Sequence, residues 1–149
     1  MRLELVQNAL GRTKVKVTEL GFGGATLGNL YNEISDAEAS STLQEALKSG
    51  INFLDTAPHY GAGLSEVRFG KVLQHIDKAD YILSTKVGRV LKHDPNADVS
   101  KLRNGFLTPM PFTAEYDYSY DGIMHSYEDS LKRMGLVKID VLLVHDIGV

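Results

Sequence analysis

The sequence has no cysteine. That excludes disulfides and thiolate metal sites and fits a protein of the reducing cytoplasm. No apolar run approaches the roughly 18 residues needed to span a membrane, so no membrane partner is expected. The start, MRLELVQN, has no apolar segment of the signal-peptide kind, and no N-x-S/T sequon occurs. Basic residues are not in excess: 16 Lys and Arg stand against 19 Asp and Glu, a net charge of −3, so no nucleic acid is expected either. The histidines at 59, 75, 93, 125 and 145 lack metal-ligand spacing, and no metal is expected. What remains is an ordinary globular composition, 43% hydrophobic and 23% charged.

Within that composition, three segments share one pattern. NFLDTAPHYG carries Asp55 and Tyr60, YILSTKVGR carries Lys86, and VLLVHD carries His145. In each, a nearly continuous apolar run precedes a residue that can do proton chemistry. Such runs suit parallel strands buried on both faces. The interval from Gly24, at the end of a first strand over 20–24, to Asp55 equals that from Asp55 to Lys86. It accommodates one strand and one crossover helix, and its repetition predicts a βαβ series. Parallel strands of a (β/α) barrel deliver their C-terminal ends to one face, where Asp55, Tyr60, Lys86 and His145 would meet.

Helix signals fill the intervals. Ser35 with Glu38 predicts a capping box, Ala39, Leu43, Ala46 and Leu47 an apolar stripe, and Gly50 a left-handed stop. A second helix is expected from a cap at Ser65, burying Phe69, Val72, Leu73 and Ile76. A third is expected from a cap at Asp121 to Gly135, along Ile123, Tyr127, Leu131 and Met134. Residues 88–120 show no clear period. Pro95, Pro109, Pro111 and an Asn104-Gly105 turn mark them as a long loop, read as part of a substrate wall.

The segments GFGGATLG (21–28), DTAPHYG (55–61), STKVG (84–88) and VHD (144–146), in this order, resemble the aldo-keto reductase superfamily. LGRTKVKVTELGFG (10–23) is similar to the family's lead-in hairpin, which plugs the bottom of the barrel. SYDG (119–122) and His145-Asp146 resemble the branch of D-threo-aldose (L-fucose), L-galactose and pyridoxal dehydrogenases. The resemblance implies a nicotinamide cofactor, NADP or NAD, and a small carbonyl, alcohol or sugar substrate. It also implies that Asp55 reaches the nicotinamide ribose and that the Gly23-Gly24-Ala25 backbone lies near the carboxamide.

The chemistry of the four residues agrees. Carbonyl reduction by hydride needs a proton donor at the oxygen. A phenol can serve, but its ordinary pKa of about 10 calls for help near neutrality. A neighbouring ammonium gives that help, which makes Tyr60 the acid/base, Lys86 its cation and Asp55 the carboxylate holding Lys86. His145, as a neutral imidazole, would donate to the substrate oxygen, and His59 would line the substrate pocket with Arg89. Singly, each has a plainer reading as a strand-end charge, a loop aromatic or a turn cap. GFGGATLG is not a dinucleotide G-x-G-x-x-G, because Thr26 breaks the pattern. His59, Ser65 and Asp55 are not read as a hydrolase triad, because no G-x-S-x-G elbow is present.

A full (β/α)8 barrel takes roughly 250 residues, and this chain has 149. The expected architecture is therefore the N-terminal half of a TIM barrel in one partial domain. A hairpin over 1–19 precedes four parallel strands and three helices over 20–149. Two readings follow. One is an NAD(P)-dependent oxidoreductase, seen as half an enzyme that is inactive alone. The other is a non-catalytic half-barrel used for binding or assembly. In both, open sheet edges favour self-association, and Phe53, Ile82, Leu142 and Val144 are expected to face the barrel interior.

Overall fold

Parallel strands need a crossover long enough to carry the chain back to its starting end, and this chain supplies one between each pair. The computed structural model describes residues 5–148. Strands β1 (Gln7–Ala9) and β2 (Lys16–Thr18) form the expected antiparallel hairpin. β3 (Gly21–Gly23) leads to α1 (Asp36–Lys48), β4 (Phe53–Asp55), α2 (Leu64–Leu73) and β5 (Ile82–Val87). Then come β6 (Arg89–His93), β7 (Phe112–Tyr116), α3 (Tyr120–Met134) and β8 (Val141–Val144). The order β3-β4-β5-β8 makes one four-stranded sheet, parallel at every pair. This is half of a (β/α) barrel, with the hairpin tied to it through Asn52, whose side-chain oxygen accepts from the Thr18 amide at 2.7 Å.

Helices α1 to α3 cover the outer face of the sheet. Leu54 and Leu83 meet Ala39, Leu43, Phe69, Leu73 and Met134 in one core, all essentially without solvent exposure. Ser35 caps α1 in a capping box with Glu38, and Gly50 takes φ 98° beyond its end. The cap of α2 differs from expectation. Gly63 opens the helix at φ 96°, whereas Ser65 lies inside it and donates to the Gly24 carbonyl at 2.7 Å. Helix α3 is capped by Ser119, which accepts from the Gly122 amide, rather than by Asp121, and Gly135 ends it at φ 63°. An acceptor that is both short and already positioned by Asp117 takes the cap.

Two further expectations change. Residues 88–120 are not one loop, because β6 and β7 pair antiparallel from Arg89↔Tyr116 to His93↔Phe112. The pairing partners lie far apart in sequence, so no short turn announced their register. Leu142 and Val144 do not face the barrel interior. β8 pairs with β5 so that Leu143 lies beside Lys86, while Leu142 lies beside Thr85 and Val144 beside Val87. Thr85 reaches Glu66 on α2, which marks its side as the helix face. The inner face thus carries Phe53, Asp55, Ile82, Lys86 and Leu143. Leu142, Leu143 and Val144 are 42%, 44% and 41% exposed, so β8 is uncovered on both faces.

One buried charge spans three elements. Glu66 on α2, fully buried, accepts from Thr85 of β5 at 2.7 Å and from Arg133 of α3 at 2.7 Å. Close by, α2 and α3 approach at Gly70, where an added Cβ would lie 2.2 Å from the Met134 carbonyl oxygen. Gly70→Ala must therefore push backbone against backbone. It is expected to lower the unfolding free energy by at least about 2 kcal/mol in a urea titration. An unchanged midpoint would show that the helices separate freely.

Candidate active site

Side-chain alternation places the candidate residues on one surface. Gly23 pairs with Asp55, and Asp55 with Ser84. Lys86 lies two residues further along β5, beside Leu143, and His145 two residues beyond that. All four positions lie on the inner face at the C-terminal strand ends, with Gly23 and Asp55 level, Lys86 two residues higher and His145 two higher again. Tyr60 joins them from the loop after β4. Its ring stacks on Phe106 at 6.0 Å between centroids and meets the His145 ring edge-on at 6.0 Å.

The Lys86 ammonium donates to Asp55 Oδ2 at 2.6 Å and to the Thr56 carbonyl at 3.0 Å. It also sits over the Tyr60 ring, 5.4 Å from the centroid, rather than on the phenolic oxygen. Lys86 is only 12% exposed, so its charge acts through little water. Asp55 Oδ1 is buried and has no partner among the described residues. Gly23 has open space where a Cβ would stand, whereas a Cβ on Gly24 would strike Phe69 and Ser65. An unfilled acceptor beside an open backbone surface fits a flat, hydroxyl-bearing cofactor at Asp55 and Gly23. Gly24 is required by the helix packing behind it. Ala25 follows as the lead-in to the 3-10 turn at Thr26–Gly28.

His145 is held through its backbone. Its amide donates to Val87 O at 2.9 Å, and Tyr118 donates its hydroxyl to the His145 carbonyl at 2.7 Å. Its Nδ1 is buried with no partner among the described residues. Burial lowers its pKa, aided by Arg89 and Lys86 and opposed by Asp146 and Asp55. His59 goes further, down to about 4, through burial and then the Arg89 and His145 charges, with Asp146 opposing. Both imidazoles are neutral at pH 7.

Residues 94–111 close over this face. Asn29 Nδ2 donates to the Leu107 carbonyl at 2.8 Å and Thr108 Oγ1 to the Gly61 carbonyl at 2.6 Å. A cavity of about 310 Å³ lies between this segment and His59. Three contributors escaped the sequence reading. Phe106 backs Tyr60, Tyr116 accepts from Arg89, and Ser65 ties Gly24 to Thr56. Five residues are too few for FTAEY (112–116) to reveal a strand, and nothing in the sequence distinguishes Ser65 from a helix cap.

A half barrel with an ion-paired lysine and a tyrosine at its strand ends defines the class. The profile of the Aldo/keto reductase family matches residues 19–149, and the chain belongs to that family. It is 41% identical over 149 residues to pyridoxal 4-dehydrogenase of Microbacterium luteolum, covering 95% of this chain and 43% of that protein. It is 42% identical over 132 residues to D-threo-aldose 1-dehydrogenase of a Pseudomonas species, covering 87% and 40%. An aldo-keto reductase of Bacillus halodurans, solved in its holo form, superposes with a TM-score of 0.71 at 31% identity, covering 94% of this chain and 40% of that one. The chain thus spans about 40% of the length of these relatives. Among the described residues no helix is long and apolar enough to cross a membrane.

The neutral His59 has a thermodynamic signature. Its folded pKa of about 4 lies below the ordinary 6.5, so between those values the unfolded chain binds more protons. Stability is full above about pH 6.5 and is lost as the pH falls toward 4. Urea midpoints measured across this window should fall with acid, and His59→Gln should flatten the fall. A His59 resonance titrating near 6.5 would contradict the buried neutral ring.

Proposed function

We propose that this chain supplies the proton-handling half of an NAD(P)-dependent oxidoreductase site, which interconverts an alcohol or sugar hemiacetal and its carbonyl compound by hydride transfer. The observation that carries this reading is the Lys86–Asp55 pair at 2.6 Å beside the Tyr60 ring and the neutral His145. Tyr60 gives its phenolic proton to the carbonyl oxygen in reduction and takes the hydroxyl proton in oxidation. Lys86 faces the ring with a positive charge that offsets phenolate as it forms. Asp55 fixes that ammonium in place. His145 donates a hydrogen bond to the same substrate oxygen and sets its direction. Asp55 and the Gly23–Ala25 backbone would hold a nicotinamide, NADP or NAD, which would supply or accept the hydride. The named activities of the relatives support an aldose or a pyridoxal-like hydroxy compound as substrate.

In a complete barrel carrying these residues, Tyr60→Phe should keep cofactor binding and lower kcat by orders of magnitude. Lys86→Met should move the pH–rate profile of alcohol oxidation to higher pH. Wild-type turnover in the first variant, or an unmoved profile in the second, would remove the assignment.

The uncovered β8 favours a second role for the chain by itself, as a surface for assembly. Among the described residues β3 and β8 are the two ends of the sheet, each with an unpaired edge. The phosphate site of such barrels lies at the loops after strands seven and eight. Light scattering on the 149-residue chain should show self-association, and an NAD(P)H titration should show no micromolar binding. A monomer that binds the cofactor at micromolar concentration is the contrary result.

A further inference from the structure

Arg89 joins four segments of the catalytic face. It opens β6 just after Gly88, which turns the chain out of β5 at φ 92°. Its guanidinium donates to Asp146 after β8, to the Tyr116 hydroxyl of β7, and to His59 Nδ1 in the loop after β4, the last at 3.1 Å. Its carbon centre lies 4.4 Å over the Tyr116 ring, and its side chain is 15% exposed. Ser126 of α3 holds the Arg89 carbonyl at 3.3 Å. The guanidinium is thus fixed by the Asp146 ion pair and by Tyr116, through both its hydroxyl and its ring, before it meets His59.

That contact can run in one direction only. A guanidinium has no acceptor and keeps its proton in proteins. Nδ1 of His59 must therefore accept, and a neutral ring that accepts at Nδ1 carries its proton on Nε2. No described residue receives that Nε2–H. His59 borders the 310 Å³ cavity, whose mixed lining sets the polar side chains of Arg103, Asn104, Thr108 and Thr113 among Ala62, Phe112 and Ala114. The His59 and His145 rings stand edge to face with centroids 5.8 Å apart. Two neutral imidazoles thus stand side by side, His145 against the Tyr60 ring and His59, fixed by Arg89, between His145 and the cavity.

We infer that Arg89 is a positioning residue that locks His59 as an Nε2–H donor, and that His59 then binds a second substrate oxygen, selecting compounds with a hydroxyl on the carbon next to the reacting one. His145 serves the reacting oxygen and His59 its neighbour. The ligand class is an aldose or another 2-hydroxy carbonyl compound, since a hydroxyl oxygen accepts from the imidazole while its own proton remains free for the cavity's threonines. Asp146 acts on this arrangement through Arg89, by holding the guanidinium where it reaches Nδ1. The substrate half of the inference rests on the catalytic face proposed above. The tautomer half stands on the Arg89 contact.

Long-range ¹H–¹⁵N NMR of the 149-residue chain at pH 7 tests the tautomer. His59 should appear as a single Nε2–H form in the wild type. Arg89→Leu should give an averaged pair of tautomers, and Arg89→Lys should restore the single form. An Nδ1–H or averaged His59 in the wild type overturns the inference with no variant needed. Titration of L-galactose against 2-deoxy-L-galactose, read at the same resonance, tests the ligand. The parent sugar should bind about tenfold more tightly, the worth of one hydrogen bond, and His59→Phe should abolish the difference. Equal binding of the two sugars, or none, overturns the substrate half. Because no readout requires hydride transfer, a barrel without dehydrogenase activity would refute the proposed reaction and leave both results standing.

Discussion

Side chains on a strand alternate between faces, so the register between neighbouring strands decides which residues can meet. In this chain that constraint governs everything at the C-terminal strand ends. Pairing Asp55 with Ser84, and Lys86 with Leu143, puts one carboxylate and one ammonium on the inner face and raises His145 above them. A shift of one residue at β5 would send Lys86 into the helix layer and Thr85 into the site. Glu66 would then lose the Thr85 hydroxyl as well. Core and site therefore share a single register, and the packing of Leu54 and Leu83 against the helices is what holds Asp55 and Lys86 where they are.

Much of this was legible in the chain. Nearly continuous apolar runs before Asp55, Lys86 and His145 specify parallel strands and the end of the sheet at which these residues gather. The stripe from Ala39 to Leu47 and the one from Phe69 to Leu73 specify the covering helices. What escaped detection depends on contacts between distant segments. Arg89–His93 pairs with Phe112–Tyr116 across a long connection, and neither strand is long enough to show its period against the prolines and tyrosines around it. Ser65 looks like a cap because serine before a helix usually is one. Its role follows only from Gly24 and Thr56 lying opposite it. The face taken by Leu142 could not be read either, since an all-apolar strand has no alternation to reveal which side is inside.

Electrostatically the site separates its charges from its neutral donors. Lys86 and Arg89 are each paired, with Asp55 and Asp146 respectively. Between these pairs lie His59 and His145, both kept neutral by burial beside cations. A charged imidazole there would add a third positive group to a half-buried surface. Fixed cations with carboxylate partners leave the imidazoles as neutral rings, with the Tyr60 ring beside His145 and under the Lys86 ammonium.

The Glu66 carboxylate has a consequence for how such sequences can diverge. With Arg133 replaced, it would remain buried with only the Thr85 hydroxyl for company, at a cost on the order of 3–5 kcal/mol. With Glu66 replaced, Arg133 would lose its partner at the α2–α3 contact. Neither position can drift alone without passing through a poorly folded intermediate. Descendants of this fold should therefore exchange the two residues together or retain both, so that helix α2 and helix α3 are inherited as a matched pair.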